Sequence, residues 1–492
     1  MSSTKNLPSN PAGITGQLCS WITSTNNTEI PEDVLERAKY LILDGIACAF
    51  VGAHLPWSET AARALLKMEP QGQCSVIGWQ GRQLSPMAAT VLNSTFIQGF
   101  ELDDYHSKAP LHSSSLLLPA LFAAVQSAYS ETKIFTGAEF IKAYVVGCEI
   151  GPRVGMALHG GDLLSRGWHS GAIQGPSAVA AATASLLGLT SAQVESALGI
   201  ACTQAGGLMA AQFGSDAKRM QHGFAARNGL FGTLLAQEGY TGIQEVYEVP
   251  YGGFLSCFSQ GASFEPKSLP QELVSELGSR WEIEGVRVKL HAAMAALHGT
   301  IDCVEHLQKT KPELFDLGNL GNIESVVTRH GKAAYEHGGW IAPTDKPLSS
   351  LGAQMSIQYA AAAQLLDSEV LMAQFGASKL NRPEVGELMA KIHPKHDPSI
   401  DVSQDSLFTT YVDVTFKDGT KASHMVAAAR GIDPPCSNED IVEKWRALTR
   451  DVLDEDRRDQ IEKKVLSLDT LSDVLDLMPL LEGNVKCPID VA

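Results

Sequence analysis

Four short stretches gather titratable or charged residues beside glycines and other small residues. The first is Glu101-Leu-Asp103-Asp104-Tyr105-His106, followed by His112-Ser113-Ser114-Ser115. Three carboxylates within four residues repel one another unless a cation, a proton or hydrogen-bond donors come between them. The flanks, NSTFIQGF and SLLLPALFAA, are strongly apolar, so part of this stretch is expected to be buried, where acids and imidazoles acquire perturbed pKa values. The second stretch, Arg166-Gly167-Trp168-His169-Ser170-Gly171, holds one histidine in a glycine-rich turn. Taken alone, such a histidine is more often hydrogen-bonded structure than a catalyst.

The third is Lys218-Arg219-Met-Gln-His222-Gly-Phe-Ala-Ala-Arg227, four potential cations in ten residues. Lys218 and His222 are four apart and share a face if the segment is helical. A solvated charged face is the plain reading, but the preceding TQAGGLMAAQFGSDA is small and apolar. The basic run is therefore expected to leave the interior at a cleft that binds a small polyanion. In the fourth, Lys289-Leu-His291 precedes His298-Gly299, and seven residues between histidines is two helical turns, a shared face without contact. No H-E-x-x-H and no third ligand at close spacing support zinc there, so no metal is expected. The pairs His330 with His337 and His393 with His396 read as surface or local structure. With no G-x-S-x-G elbow, Walker loop or Rossmann glycine pattern, acid–base chemistry by His, Lys and carboxylates, without a cofactor, is what remains.

The elements that must hold these groups are mostly helical in the first half. PEDVLERAKYLILDGIACAFVGA places Pro31 in a first turn, Glu32 and Asp33 at a positive helix N-terminus, and Val34, Leu35, Ala38, Leu41 and Ile42 on one face. Pro176 to Leu187 reads as an alanine-rich helix closed by Gly188, and Thr190 with Gln193 has capping-box spacing for the next helix. So many small residues allow close helix approach. Near Val286 the texture changes: VRVKL alternates, IESVVTRH is β-branched, and Val412, Val414 and Phe416 alternate before a Lys417-Asp418-Gly419 hairpin. Helices are expected around 298–308 and 356–366, and after the breaker at 431–435 the run SNEDIVEKWRALTRDVL puts Ile441, Val442, Trp445 and Leu448 on one face. The expected organisation is a large helical domain beginning with 1–285, an inserted α+β part at 286–432, and C-terminal helices at 433–492 that complete the helical domain.

The chain has 492 residues and a net charge of −17, with 44% hydrophobic and 19% charged residues, a globular composition with ample core for one large domain or two to three ordinary ones. The acidic balance argues against nucleic acid. No apolar run approaches the roughly 20 residues of a membrane span, so no membrane association is expected. Nine scattered cysteines without C-x-x-C, and an N-terminus lacking the order of a signal or transit peptide, make the cytosol the expected compartment.

LERAKYLILDGIACA, ELDDYHSKAPLHSSS, LLSRGWHSGAIQGP, ALGIACTQAGGLMAAQ, KRMQHGFAARNG and YGGFLSCF together resemble the MmgE/PrpD family, over nearly the whole chain, and look like its fungal cis-aconitate decarboxylase members. The resemblance implies a helical domain with a smaller α+β lid inserted in it, a homodimer, and an active site between the two domains. It implies catalytic roles for His112, His169, Lys218 and His298. Substrate-binding roles follow for Glu101, Asp104, Tyr105, Arg219 and His222, and a lid tyrosine at Tyr335. Relatives often read D-x-D-D-T where this chain has Glu101-Leu-Asp103-Asp104-Tyr105, a longer acid and an added ring that bear on pocket size.

The implied reaction is decarboxylation of a small tricarboxylate, cis-aconitate, to itaconate and carbon dioxide. Lys218, helped by Arg219 or His222, would anchor a retained carboxylate, His112 or His298 would deliver a proton, and His169 would orient the substrate. The alternatives are decarboxylation of an alkyl-substituted aconitate, for which Ala292, Ala293, Ala295 and Ala296 would leave room, and dehydration of a 2-methylcitrate-type acid.

Overall fold

The computed structural model describes residues 6–129, 133–342, 347–402 and 408–490. It divides into two compact units, one of Met1–Gly99, Asp103–Arg287 and Asn438–Cys487, the other of Phe100–Leu102, Val288–Ser437 and Pro488–Ala492. The first is helical and the second mixed, so the chain is mostly α with a smaller α+β part.

In the helical unit, α1 (Glu32–Gly52) starts one residue later than the sequence suggests. Pro31 sits outside it as the N-cap, with ψ 146, and Glu32 and Asp33 supply an acidic first turn. Val34, Ala38, Leu41 and Ile42 are buried, while Leu35 is half-buried. Next come α2 (Pro86–Ile97), α3 (Ser113–Ala128), α4 (Gly137–Ala157), α5 (Ser170–Leu187), α6 (Ser191–Cys202) and α7 (Ala217–Gln237). Helix α5 is buried along its whole length and packs on α3, α4, α6 and α7, which makes it the axis of this core.

Its start corrects the sequence reading: α5 begins at Ser170, and Pro176 lies inside the helix. The residues before the proline form a regular turn of their own, with the Ala172 and Ile173 N–H groups bonded to the His169 carbonyl. The Thr190–Gln193 capping box of α6 forms in both directions. The C-terminal helix Asn438–Thr449 returns to α1, burying Ile441, Trp445 and Leu448 and pairing Lys444 Nζ with Asp44 Oδ1 at 2.6 Å, with both side chains buried.

VRVKL does not form a long strand. Only β2 (Val286–Arg287) is extended in a ladder, antiparallel to β1 (Tyr105–His106) within the helical unit. In the second unit, β3 (Ile323–His330), β4 (Ile392–His396), β5 (Thr410–Phe416) and β6 (Lys421–Val426) form a sheet in the order β4–β3–β5–β6. β3 is parallel to β4 and antiparallel to β5, and the β5–β6 hairpin turns at Lys417-Asp418-Gly419, with Gly419 at φ 86. Helix α8 (His298–Thr310) packs on β5 and β6 and on the helix Ile357–Asp367.

Period-two alternation buries Val326, Thr328 and His330 together. Of the two readings for His330, surface or local structure, the second holds: it is fully buried, its parity in β3 puts it on the face with Val326, and its Nε2 lies 2.9 Å from Thr328 Oγ1. No single helix among the described residues is long and apolar enough to cross a membrane.

Candidate active site

In the helical unit, His112 is the N-cap residue of α3 and His169 the N-cap residue of α5. Lys218 lies in the first turn of α7, and His222 is one turn further along the same helix. Three helix starts therefore carry His112, His169 and Lys218, an arrangement whose backbone dipoles favour negative charge.

The rings of His112 and His169 each lie 4.8 Å, centroid to centroid, from the ring of His222, which stands between them. His222 Nδ1 is 2.8 Å from Gln98 Nε2 and 3.0 Å from Ser115 Oγ. Gly171, at the start of α5, makes room for this ring, because a Cβ there would lie 2.2 Å from His222 Nε2. His222 and His169 are both buried, whereas His112 keeps partial access to solvent.

The three acids of the first stretch separate. Asp103 is fully buried and its Oδ2 lies 2.8 Å from His112 Nδ1. Asp104 turns to the start of α3, accepting the Ser114 N–H at 3.1 Å and the Ser114 hydroxyl at 3.0 Å. Burial, reinforced by Asp103 and Asp44, pushes the Asp104 carboxyl up to about 7. Glu101 belongs to the other unit, where its backbone is left-handed at φ 57 and its Oε2 lies 3.3 Å from Lys289 Nζ, with both side chains buried.

Burial, with His112 adding in the same direction, brings His169 down to about 3, so its ring is neutral near pH 7. The basic run is not a solvated charged face, for Lys218, Arg219 and His222 are all buried. The Arg219 guanidinium stacks 4.0 Å over the ring of Trp57 and donates to the Gly99 carbonyl, and burial lowers it to about 10, leaving it cationic. Arg227 lies beyond the cluster, half-buried, with its guanidinium 5.6 Å from the Phe224 ring centroid. Tyr105 lies in β1.

In the second unit, His291 and His298 do not share a helix face. α8 begins only at His298, and the irregular chain before it brings the two rings into edge-to-face contact at 5.0 Å. His291 Nε2 is 3.1 Å from Asp302 Oδ1, and His298 Nε2 is 3.1 Å from the Ala293 carbonyl. Burial, with His291 adding to it, lowers His298 to about 3. Tyr335, in α9 (Lys332–Gly338), stacks 6.3 Å from the His396 ring.

One set of donors has a metal-like composition: Asp103, His112 and His222 bring ligand atoms within 4.8 Å of one another. Ligands about 2.1 Å from a tetrahedral ion stand roughly 3.4 Å apart, and the 2.8 Å between Asp103 Oδ2 and His112 Nδ1 is shorter than that. The Gln98 and Ser115 contacts are both made by His222 Nδ1.

Of the neighbours of His222, sequence reasoning missed Gln98, while Ser115 and Gly171 stand in recognised stretches with no link to His222. Gln98 and His222 are 124 residues apart in the chain and Ser115 and His222 are 107 apart, separations across which no local pattern speaks. Asp103 stood in a recognised cluster without a partner assigned to it.

The MmgE/PrpD N-terminal domain matches residues 16–267 and the MmgE/PrpD C-terminal domain residues 291–469. A cis-aconitate decarboxylase-like protein of Aspergillus oryzae is 48% identical over 480 residues, covering 97% of this chain and 99% of the relative. A cis-aconitate decarboxylase of Aspergillus terreus is 48% identical over 480 residues, 97% of this chain and 98% of the relative. A human cis-aconitate decarboxylase is 28% identical over 456 residues, 92% of this chain and 91% of the relative. The chain belongs to the MmgE/PrpD family.

Proposed function

We propose that this chain catalyses the cofactor-independent decarboxylation of cis-aconitate to itaconate and carbon dioxide. The observation that carries the reading is the group of imidazoles at 112, 169 and 222 in the helical unit, with Lys218 one helical turn before His222 on the same helix. Similarity across 480 residues to proteins named cis-aconitate decarboxylase supports the choice of substrate.

In the reaction, the bond from the saturated arm to its carboxylate breaks and carbon dioxide leaves. The electron pair forms a new double bond to the central carbon, and the old alkene pair moves to the carbon beside the distal carboxylate. That carbon takes up one proton, and itaconate results. Charge develops toward the distal carboxylate, so a fixed cation there lowers the barrier. Lys218 supplies it, and the helix starts add oriented backbone dipoles for the retained carboxylates.

Proton delivery falls to His112. Its Nδ1 faces the Asp103 carboxylate at 2.8 Å, which leaves Nε2 on the opposite edge of the ring for the substrate. His298 and His169, lowered to about 3, are neutral at working pH and serve to orient. Arg219, committed to Trp57 and Gly99, supports the start of α7 and adds background positive charge. Glu101, Tyr105 and Tyr335 belong to this reading as determinants of pocket size and substrate contact. It also includes a cytosolic homodimer, checked by light scattering and by locating a tagged copy.

The test offers cis-aconitate and 2-methylcitrate separately to purified protein and reads products by proton NMR and released carbon dioxide. Itaconate from the first, with large losses in folded Lys218→Ala and His112→Ala, is the expected result. Near-parent turnover in both variants, or dehydration of 2-methylcitrate instead, ends the assignment. Slow turnover of cis-aconitate beside rapid turnover of an alkylated analogue moves it to the alkyl-substituted substrate.

A further inference from the structure

One buried carboxamide near the histidines belongs to none of the roles above. Gln221 lies on α7 between Lys218 and His222, is 7% exposed, and grips both backbone groups of Leu208. Its Oε1 accepts the Leu208 N–H at 2.6 Å, and its Nε2 donates to the Leu208 carbonyl at 3.1 Å. A side chain that pairs with one residue in both directions replaces a strand partner, and it does so here for a loop that lies outside any sheet.

That loop reaches the glycine-rich turn of His169. Leu208 forms an isolated antiparallel bridge with Trp168, the His169 N–H donates to the Gly207 carbonyl at 3.1 Å, and the Met209 N–H donates to the Gly167 carbonyl at 3.0 Å. Fit is tight as well as hydrogen-bonded. A Cβ at Gly207 would lie 2.5 Å from Ala172 Cβ, 2.6 Å from Gln221 Oε1 and 3.3 Å from His169 Cβ. The path from α7 to His169 therefore runs through one amide, one loop residue and two backbone hydrogen bonds. Lys218 stands one turn before Gln221, on the same side of α7.

We propose that Gln221 is a positioning residue, whose clamp on Leu208 sets the place of His169 relative to His222 and Lys218. The role rests on the decarboxylase reading for its effect on turnover, though its effect on geometry does not. A buried amide with both ends satisfied holds one geometry, whereas an apolar group of equal size leaves the Leu208 N–H and carbonyl unpaired and the loop free to shift. Displacements of about 1 Å at groups that orient a substrate cost on the order of 10²-fold in rate.

The experiment uses the full chain with Gln221→Leu and Gln221→Glu. Fold is checked by circular dichroism and thermal unfolding, and the imidazole resonance of His169 is assigned by its loss in His169→Gln. Gln221→Leu is expected to fold, to lose about tenfold or more in kcat with a smaller change in KM, and to move the His169 resonance. A protonated carboxyl can accept and donate as the amide does. Gln221→Glu therefore gains activity relative to the parent as pH falls, a rescue that general destabilisation would not produce.

Parent kcat together with an unmoved His169 resonance in Gln221→Leu overturns the proposal. Should Gln221→Leu fail to fold, Gln221→Glu decides: a pH-independent ratio to the parent, or failure to fold as well, overturns it. If the parent itself leaves cis-aconitate unchanged, the functional reading falls, and the His169 resonance alone sustains the clamp by moving or overturns it by staying.

Discussion

Asp103 holds His112: Oδ2 and Nδ1 are 2.8 Å apart, and the acid has no exposure to solvent while the ring keeps 16%. A buried carboxylate in ion-pair contact with one imidazole nitrogen orients the ring and leaves the other nitrogen for chemistry. Asp103→Asn presents an amide that can donate to Nδ1 and so favours the other tautomer. We expect kcat on cis-aconitate to fall by on the order of 10²-fold or more, with KM much less affected and the unfolding midpoint close to the parent's. Unchanged kcat would show that Asp103 is only structural.

The room left by Gly171 is a second point of control. A methyl group there would sit 2.2 Å from His222 Nε2, so Gly171→Ala displaces the ring that separates His112 from His169. Overpacking of this kind destabilises by about 1–3 kcal/mol. Urea denaturation is expected to show that loss beside a fall in turnover. Adding His222→Ala should return the stability without the activity.

The pair of Asp44 with Lys444 ties the C-terminal helix to α1 at 2.6 Å with both groups buried. Burial raises the Asp44 pKa even against the opposing pull of Lys444, which shows how costly an unpaired carboxylate is at that position. Lys444→Met alone is expected to destabilise by about 3–5 kcal/mol. Lys444→Met with Asp44→Leu should be markedly more stable than Lys444→Met, as read by chemical denaturation.

Acid sensitivity follows from the buried imidazoles. Burial lowers His330 to about 4, while an unfolded chain protonates near the ordinary 6.5. Between those values the unfolded state binds more protons, so this contribution is complete above about pH 6.5 and is lost as pH falls toward 4. Asp104, raised to about 7, acts in the opposite sense, because its protonated form is the one the fold prefers. His330→Gln is expected to flatten the acid limb by on the order of 3 kcal/mol across that window. Thermal unfolding from pH 7 to pH 4 measures it.

Much of the local structure was legible in the sequence because its causes lie within one turn of helix or one hairpin. Thr190 and Gln193 cap α6 through atoms three residues apart, and Asp418-Gly419 turns the β5–β6 hairpin on its own backbone preferences. The histidines at 112, 169 and 298 and the lysine at 218 were identifiable by residue type and by long, specific motifs. The limits were equally local in origin. Proline suits a helix start, so residue type alone puts one at Pro176, and a lone histidine carries no sign of its strand parity, so type alone leaves His330 open between surface and local structure.

What the sequence by itself determined, then, was which residue types are available for proton transfer and charge stabilisation, and which segments are helical or extended. Only the tertiary structure decided how they are shared out. Of three acids within four residues, Glu101 pairs with Lys289, Asp103 with His112, and Asp104 with the start of α3. His222 likewise takes its place between two other rings only because Gly171, Gln98 and Ser115 surround it. Propensity acts through neighbours along the chain, whereas these assignments depend on burial and hydrogen bonding between helices whose residues lie far apart in sequence.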